Sequence, residues 1–217
     1  MNSYDILLFD LDGTITDSTE GIVKCLENAI KQMGFELPED TNKFLGPPIR
    51  QSFSEFCGMN PQQIDEAVGI FRERYSKTGL YENQVYEGVS EMLEELKNSG
   101  KRIMVATSKP EVYAKRIFKR AGLDRYFEIV GGAELDGSRD YKHEVIEYVL
   151  AKAGITDRNR VLMIGDRRQD VIGAHKTGIK CLGILWGFGS REELEEAGAD
   201  YITETPQTLV KMLIEKE

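Results

Sequence analysis

The stretch Ile6-Leu7-Leu8-Phe9-Asp10-Leu11-Asp12-Gly13-Thr14 constrains this chain more than any other. An apolar run of strand character delivers two carboxylates to its end and then turns at a glycine. Successive side chains along a strand face opposite ways, so Asp10 and Asp12, two apart, share one face. Anionic groups held together repel unless a cation, a proton or a partner charge intervenes. The carboxyl end of a strand is also where open parallel sheets bind ligands. The pair therefore points to a metal site combined with a nucleophile or an acid/base. The competing reading is a solvated strand-to-turn junction, since Asp and Gly are common turn formers.

The partners such a pair needs occur further along the chain. Arg160-Val161-Leu162-Met163-Ile164-Gly165-Asp166 is a second apolar strand ending in a carboxylate, and Asp170 follows at the start of a helical stretch through Val171, Ile172, Ala174 and His175. Carboxylates from two strand ends suit Mg²⁺, a hard cation that takes oxygen ligands and keeps several waters. A third strand, Ile103-Met104-Val105-Ala106, runs into Thr107-Ser108-Lys109, whose hydroxyl pair suits phosphate oxygens. Lys142 follows the loop Asp136-Gly137-Ser138-Arg139-Asp140-Tyr141. Each piece is weak alone; together, near strand ends and in this order, they are a strong signal.

The formal net charge of -9 argues against nucleic-acid or anionic-membrane partners, which call for a basic patch. A phosphate substrate must then be drawn in by local positive groups and metal. The 217 residues, 41% hydrophobic and 30% charged, suit a globular α/β chain, one long enough to bury roughly 70% of its unfolded surface. Cys25, Cys57 and Cys181 lack CxxC spacing and read as buried free thiols. The first strand begins close to Met1, leaving no room for a signal segment, and no apolar run approaches the roughly 20 residues that span a bilayer. The expected location is cytoplasmic.

After the first strand no convincing strand appears until about residue 102. The intervening pattern is helical: Ile22, Leu26, Ala29, Ile30 and Met33 repeat at helical spacing behind Ser18 or Thr19, and Pro61 opens a stretch with Ile64, Ala67, Val68, Phe71 and Tyr75. A helix from about 87 leads to a strand at 102–106. Then come a strand near 127–131, a helix at 143–153, a strand at 160–164, a helix at 168–177, a strand at 180–185 and a helix at 206–215. Such alternation implies parallel strands with right-handed crossovers. The expected fold is α/β, a doubly wound parallel sheet formed by residues 1–16 and 84–217, with a helical insert at 17–83. An insert just after the acidic turn must lie near the carboxyl end of the sheet, where a mobile lid can control water.

This set of residues resembles the haloacid dehalogenase superfamily of phosphatases, and the likeness covers nearly the whole chain. Its DxDxT motif is met by Asp10, Asp12 and Thr14, its hydroxyl motif by Thr107, its lysine motif by Lys142 and its terminal acidic motif by Asp166 and Asp170. Gly46-Pro47-Pro48-Ile49-Arg50 and the tail from Leu185 to Tyr201 are similar to the phosphoglycolate phosphatase-like branch. Arg167 departs from it, standing where many members carry Ser or Thr. The resemblance implies a Rossmann-like core, a helical cap and Mg²⁺ held by Asp10, the Asp12 carbonyl, Asp166 and Asp170.

The expected roles follow. Asp10 is the nucleophile that forms an aspartyl-phosphate, and Asp12 serves as general acid and then base. Lys142 neutralises charge, Thr107 and Ser108 bind phosphate oxygens, Thr14 contributes to the substrate site, and Arg50 on the cap engages an anionic substrate group. The substrate is a small phosphorylated metabolite. Phosphoglycolate-like monoesters lead, with a 5'-nucleotidase or pyrophosphatase of the same superfamily as the alternative. A receiver domain would need about half this length, a metal-free dehalogenase would not need Asp12, and a phosphomutase would need help with proton transfer from the insert, where no histidine occurs. A non-catalytic binding protein is disfavoured by the complete set of groups. His143 and His175 read as structural, Trp186 as packing and Glu192–Glu196 as a solvated helix face. No GxGxxG or GxxxxGK[ST] spacing is present.

Overall fold

Buried on both faces, the strands of a helix-covered parallel sheet read as unbroken apolar runs. The opening run of this chain does so as β1 (Ile6–Phe9), with all its side chains buried. The structure is a computed structural model and describes residues 4–214. The chain divides into two compact units, one formed by the N-terminus to Thr16 together with Val85 onward, the other by Asp17–Gln84. It crosses between them at β2 (Thr16–Asp17) and β3 (Gln84–Val85), which form a separate two-stranded sheet.

The smaller unit holds α1 (Thr19–Gln32), α2 (Ile49–Cys57) and α3 (Pro61–Lys77). Asn60 and Gln63 close a reciprocal cap on α3, each side chain accepting from the other's backbone N–H at 3.0 Å, and Pro61 occupies the first helical position. Leu26, Ile30, Phe53, Val68 and Tyr75 are buried here. Arg74 ties α3 to Glu82 at 2.9 Å.

In the larger unit the order is α4 (Val89–Asn98), β4 (Arg102–Pro110), α5 (Glu111–Ala121), β5 (Val130–Ala133), α6 (Lys142–Lys152), β6 (Val161–Gly165), α7 (Arg168–Lys176), β7 (Lys180–Ile184), α8 (Arg191–Glu196), β8 (Tyr201–Thr203) and α9 (Pro206–Ile214). The six-stranded sheet runs β5-β4-β1-β6-β7-β8 with every neighbouring pair parallel. Strands are added first on one side of β1 and then on the other, so the topological switch point falls at β1. Ligands bind outside the carboxyl ends of the strands at such a point. One face of the sheet, with Ile6, Leu8, Met104 and Met163, packs against Val145, Ile146 and Val149 of α6 and Val171 and Ala174 of α7.

Of the places where the elements differ from the sequence pattern, three stand in the larger unit's outer strands and helices. β5 starts at Val130 rather than near 127, because Asp124–Tyr126 forms a 3-10 turn and Phe127 packs on Phe118 with ring centroids 4.6 Å apart. The helix α5 carries no expectation from sequence, its apolar positions being interleaved with Lys115, Arg116, Lys119 and Arg120. β8, three residues long, is too short for alternation to register. Cys25 and Cys181 are buried free thiols as expected, whereas Cys57 is half-buried. Among the described residues no helix is long and apolar enough to cross a membrane.

Candidate active site

The carboxyl ends of β1, β4 and β6 converge because these three strands are neighbours. In the pairing of β1 with both others, Phe9 lies opposite Val105 and Ile164. Asp10 leaves the end of β1 with its backbone N–H bonded to Ile164 O at 2.9 Å, and Asp166 follows β6 directly. Asp170 sits in the first turn of α7, where Arg167 N–H donates to its Oδ2 at 3.0 Å. Asp10, Asp166 and Asp170 are buried, with carboxylate oxygens within 4.8 Å of one another.

Lys142, the first residue of α6, joins this cluster. Its Nζ lies 2.8 Å from Asp10 Oδ1 and 2.8 Å from Asp170 Oδ1, and it donates to Ala106 O at 3.1 Å. Burial alone would pull its pKa down, but the two carboxylates outweigh burial and hold it above the usual lysine range. Burial raises Asp170 to about 6, the charge of Lys142 opposing and that of Asp10 adding to the rise. Asp166 is pushed well above 3.8 by burial and then by the charges of Asp170 and Asp10. Lys142 thus meets two of the three buried carboxylates, which leaves an excess of negative charge in an all-oxygen donor set. That is the environment a hard divalent cation takes, and the residues fit one.

Asp166 is held from two sides. Thr14 Oγ1 donates to its Oδ1 at 3.1 Å, and Phe188 N–H donates to its Oδ2 at 2.8 Å. The turn carrying Phe188 is itself anchored by Trp186 Nε1–H, which donates to Thr14 O at 3.0 Å. Gly13 has φ +82, and a Cβ there would stand 2.2 Å from Asp166 Oδ2, so the turn after Asp12 requires glycine on both counts. Gly187 is equally confined, its would-be Cβ 2.2 Å from Gly13 O.

Thr14 is fully buried and its hydroxyl is committed to Asp166, so it orients a carboxylate. In the acidic run at 192–196, Glu192, Glu195 and Glu196 are exposed as expected and Glu193 departs from the pattern. Glu193 accepts from Arg167 Nε at 2.8 Å and from Arg168 N–H at 2.9 Å, which ties α8 to the start of α7 and accounts for Arg167. Trp186, half-buried, supplies a directed hydrogen bond.

The remaining expected residues are placed as follows. Thr107 is buried in β4, where its regular pairing with β5 stops, and accepts from Lys109 N–H at 3.2 Å, while Ser108 is partly exposed beside it. Asp12 stands apart from the carboxylate cluster: its Oδ2 lies 2.9 Å from Lys109 Nζ. Arg50 belongs to the smaller unit, where it pairs with Asp65. Lys109 carries no role from sequence. Alternation along the strand could not have found it, because the pairing of β4 with β5 shifts register between Thr107 and Pro110.

A family model described as haloacid dehalogenase-like hydrolase matches residues 7–184. A 5'-nucleotidase of Pseudomonas aeruginosa is 43% identical over 193 residues, covering 88% of this chain and 87% of that protein. A phosphoglycolate phosphatase of Aquifex aeolicus is 27% identical, with 96% of each chain covered. Among solved structures, a predicted phosphatase from Clostridium acetobutylicum superposes with a TM-score of 0.93 at 40% identity, over 96% of this chain and 97% of that one.

Proposed function

We propose, because this chain belongs to the haloacid dehalogenase-like hydrolase family, that its buried acidic cluster hydrolyses small phosphate monoesters through an aspartyl-phosphate on Asp10. The observation that carries this reading is the bridge made by Lys142, 2.8 Å from both Asp10 and Asp170. A carboxylate meant to attack a phosphate must be held, desolvated and partly neutralised, and a buried lysine on one of its oxygens does all three.

Asp10, Asp166 and Asp170 would hold Mg²⁺ through their carboxylates, with the Asp12 carbonyl as the resemblance implies. The ion supplies positive charge that offsets repulsion between an anionic substrate and an anionic nucleophile. The chain's own groups do the rest. Asp10 attacks phosphorus. Asp12 donates a proton to the departing oxygen and later takes one from the attacking water. Lys142 keeps Asp10 in place and balances charge on the transferred group. Thr107 accepts a backbone N–H, which leaves its own O–H to donate to a phosphate oxygen, and Ser108 offers a backbone donor beside it. Thr14 and Phe188 keep Asp166 oriented. The helical unit corresponds to the cap that the family resemblance implies. The site of action is cytoplasmic.

Two substrate classes fit. Phosphoglycolate-like monoesters are supported by likeness to the Aquifex aeolicus protein, and nucleoside monophosphates by the higher identity to the Pseudomonas aeruginosa one. Purified protein assayed with Mg²⁺ against phosphoglycolate, nucleoside monophosphates, pyrophosphate and sugar phosphates separates them by kcat/KM. Phosphate release that stops in excess chelator and returns with Mg²⁺ is the expected result. Full activity in chelator would overturn the metal-assisted reading.

A further inference from the structure

We propose that Lys109 is the positioning residue of the proton-transfer step, holding one oxygen of Asp12 so that the other is the one that exchanges a proton with substrate. The inference rests on the reading of Asp12 as acid and base given above. Lys109 Nζ stands 2.9 Å from Asp12 Oδ2, and both side chains are largely withdrawn from water, at 5% and 15% exposure. Asp12 Oδ1 is buried and meets no hydrogen-bond donor among the described residues. A buried carboxylate oxygen without a donor loses its hydration for nothing in return, unless a partner arrives during turnover. The pair is therefore asymmetric: one oxygen is secured by an ammonium and the other is left for chemistry.

The asymmetry has a direct consequence for the proton. An ammonium can only donate, so while Lys109 bonds Oδ2 the acid proton of Asp12 resides on Oδ1. As the bond between phosphorus and the leaving oxygen breaks, that oxygen keeps the electron pair and takes the Oδ1 proton. The phosphoryl group passes to Asp10, and Asp12 becomes a carboxylate. Water attack reverses the transfer, its proton going to Oδ1. Without Lys109 the carboxyl group can turn, and its proton is no longer confined to the productive oxygen. Lys142 cannot substitute, being engaged by Asp10, Asp170 and Ala106 O. Lys109 is fixed at its root as well, since its N–H donates to Thr107 Oγ1, so the two groups move as one piece of β4.

The test compares phenyl phosphate with para-nitrophenyl phosphate in the full-length protein with Mg²⁺. The first has the more basic leaving group and depends more on a donated proton. Because kcat/KM covers the steps up to departure of the alcohol, Lys109→Met should lower it at least about tenfold for phenyl phosphate and less than about threefold for para-nitrophenyl phosphate, within the range that a general acid supplies. Lys109→Arg should restore most of the difference. Asp12→Asn should show the same substrate dependence more strongly, and adding Lys109→Met to it should cost nothing further. Equal losses on both substrates in Lys109→Met would mark a merely structural lysine and overturn the proposal. So would a rise in KM with kcat intact, which would mark a substrate contact. If Asp12→Asn itself showed no dependence on the leaving group, the acid reading of Asp12 would fall and the proposal with it. A melting temperature measured for each variant identifies any loss that comes from unfolding.

Discussion

The hydroxyl of Thr14 donates to Asp166 Oδ1 at 3.1 Å, joining residues 152 positions apart in the chain. This bond welds the turn after β1 to the end of β6, and it places a threonine of the opening motif in the service of a carboxylate of the last one. Thr14→Val keeps the shape and removes the donor, so it should destabilise the fold by about 1–3 kcal/mol and raise the Mg²⁺ concentration for half activity. Thr14→Ser should behave nearly as the parent. Denaturant unfolding and a Mg²⁺ titration measure both effects. A change below about 0.5 kcal/mol, within the usual surface range, would show the bond to be incidental.

Asp10→Asn retains size and removes the attacking charge. Turnover should fall by several orders of magnitude while the fold persists, and no phosphorylated protein should accumulate on mixing with substrate. Retention of more than about a tenth of the activity, a barrier change under about 1.4 kcal/mol, would remove Asp10 from the nucleophile's role.

The buried carboxylates set a pH dependence whose sign can be worked out. Asp170 lies at about 6 in the folded chain against 3.8 ordinarily, and Asp166 is also raised, both by burial first. In the window between those values the folded protein holds protons that the unfolded chain has released, so stability falls as pH rises. The metal-free protein should therefore melt at a lower temperature near pH 7 than at about pH 5.5. Mg²⁺ competes with protons for the same oxygens and should raise the melting temperature more at the higher pH. Calorimetry with and without Mg²⁺ reads this directly, and a Mg²⁺ effect independent of pH would count against the cluster as the metal site.

Arg50 carries the specificity prediction. Its guanidinium is paired with Asp65 on the surface of the smaller unit, an arrangement worth under about 1 kcal/mol when exposed, so a substrate anion can displace the aspartate at little cost. Arg50→Ala should raise KM for the preferred anionic substrate and leave para-nitrophenyl phosphate nearly unchanged. Asp65→Ala, which frees the guanidinium, should not raise KM at all. Equal effects of Arg50→Ala on both substrates would return it to a surface ion pair.

Sequence alone determined what is local and periodic. Alternation along a strand puts Asp10 and Asp12 on one face, and apolar runs broken by helical stretches specify a parallel sheet with the acidic ends at one edge. The order of carboxylates, hydroxyls and lysine along the chain was legible for the same reason, since each belongs to the end of its own strand or the start of its own helix. What only the tertiary structure decided is which group meets which. Lys142 joins Asp10 to Asp170 while Lys109 meets Asp12, Thr14 turns to Asp166, and Glu193 leaves the solvated face of its helix to bond Arg167. These pairings depend on the register of β1 between β4 and β6, where Phe9 lies opposite Val105 and Ile164. A register shift of one residue would turn every side chain to the other face. Register is set by the packing of two sheet faces at once, so no single segment carries it, and neither do the partners it selects.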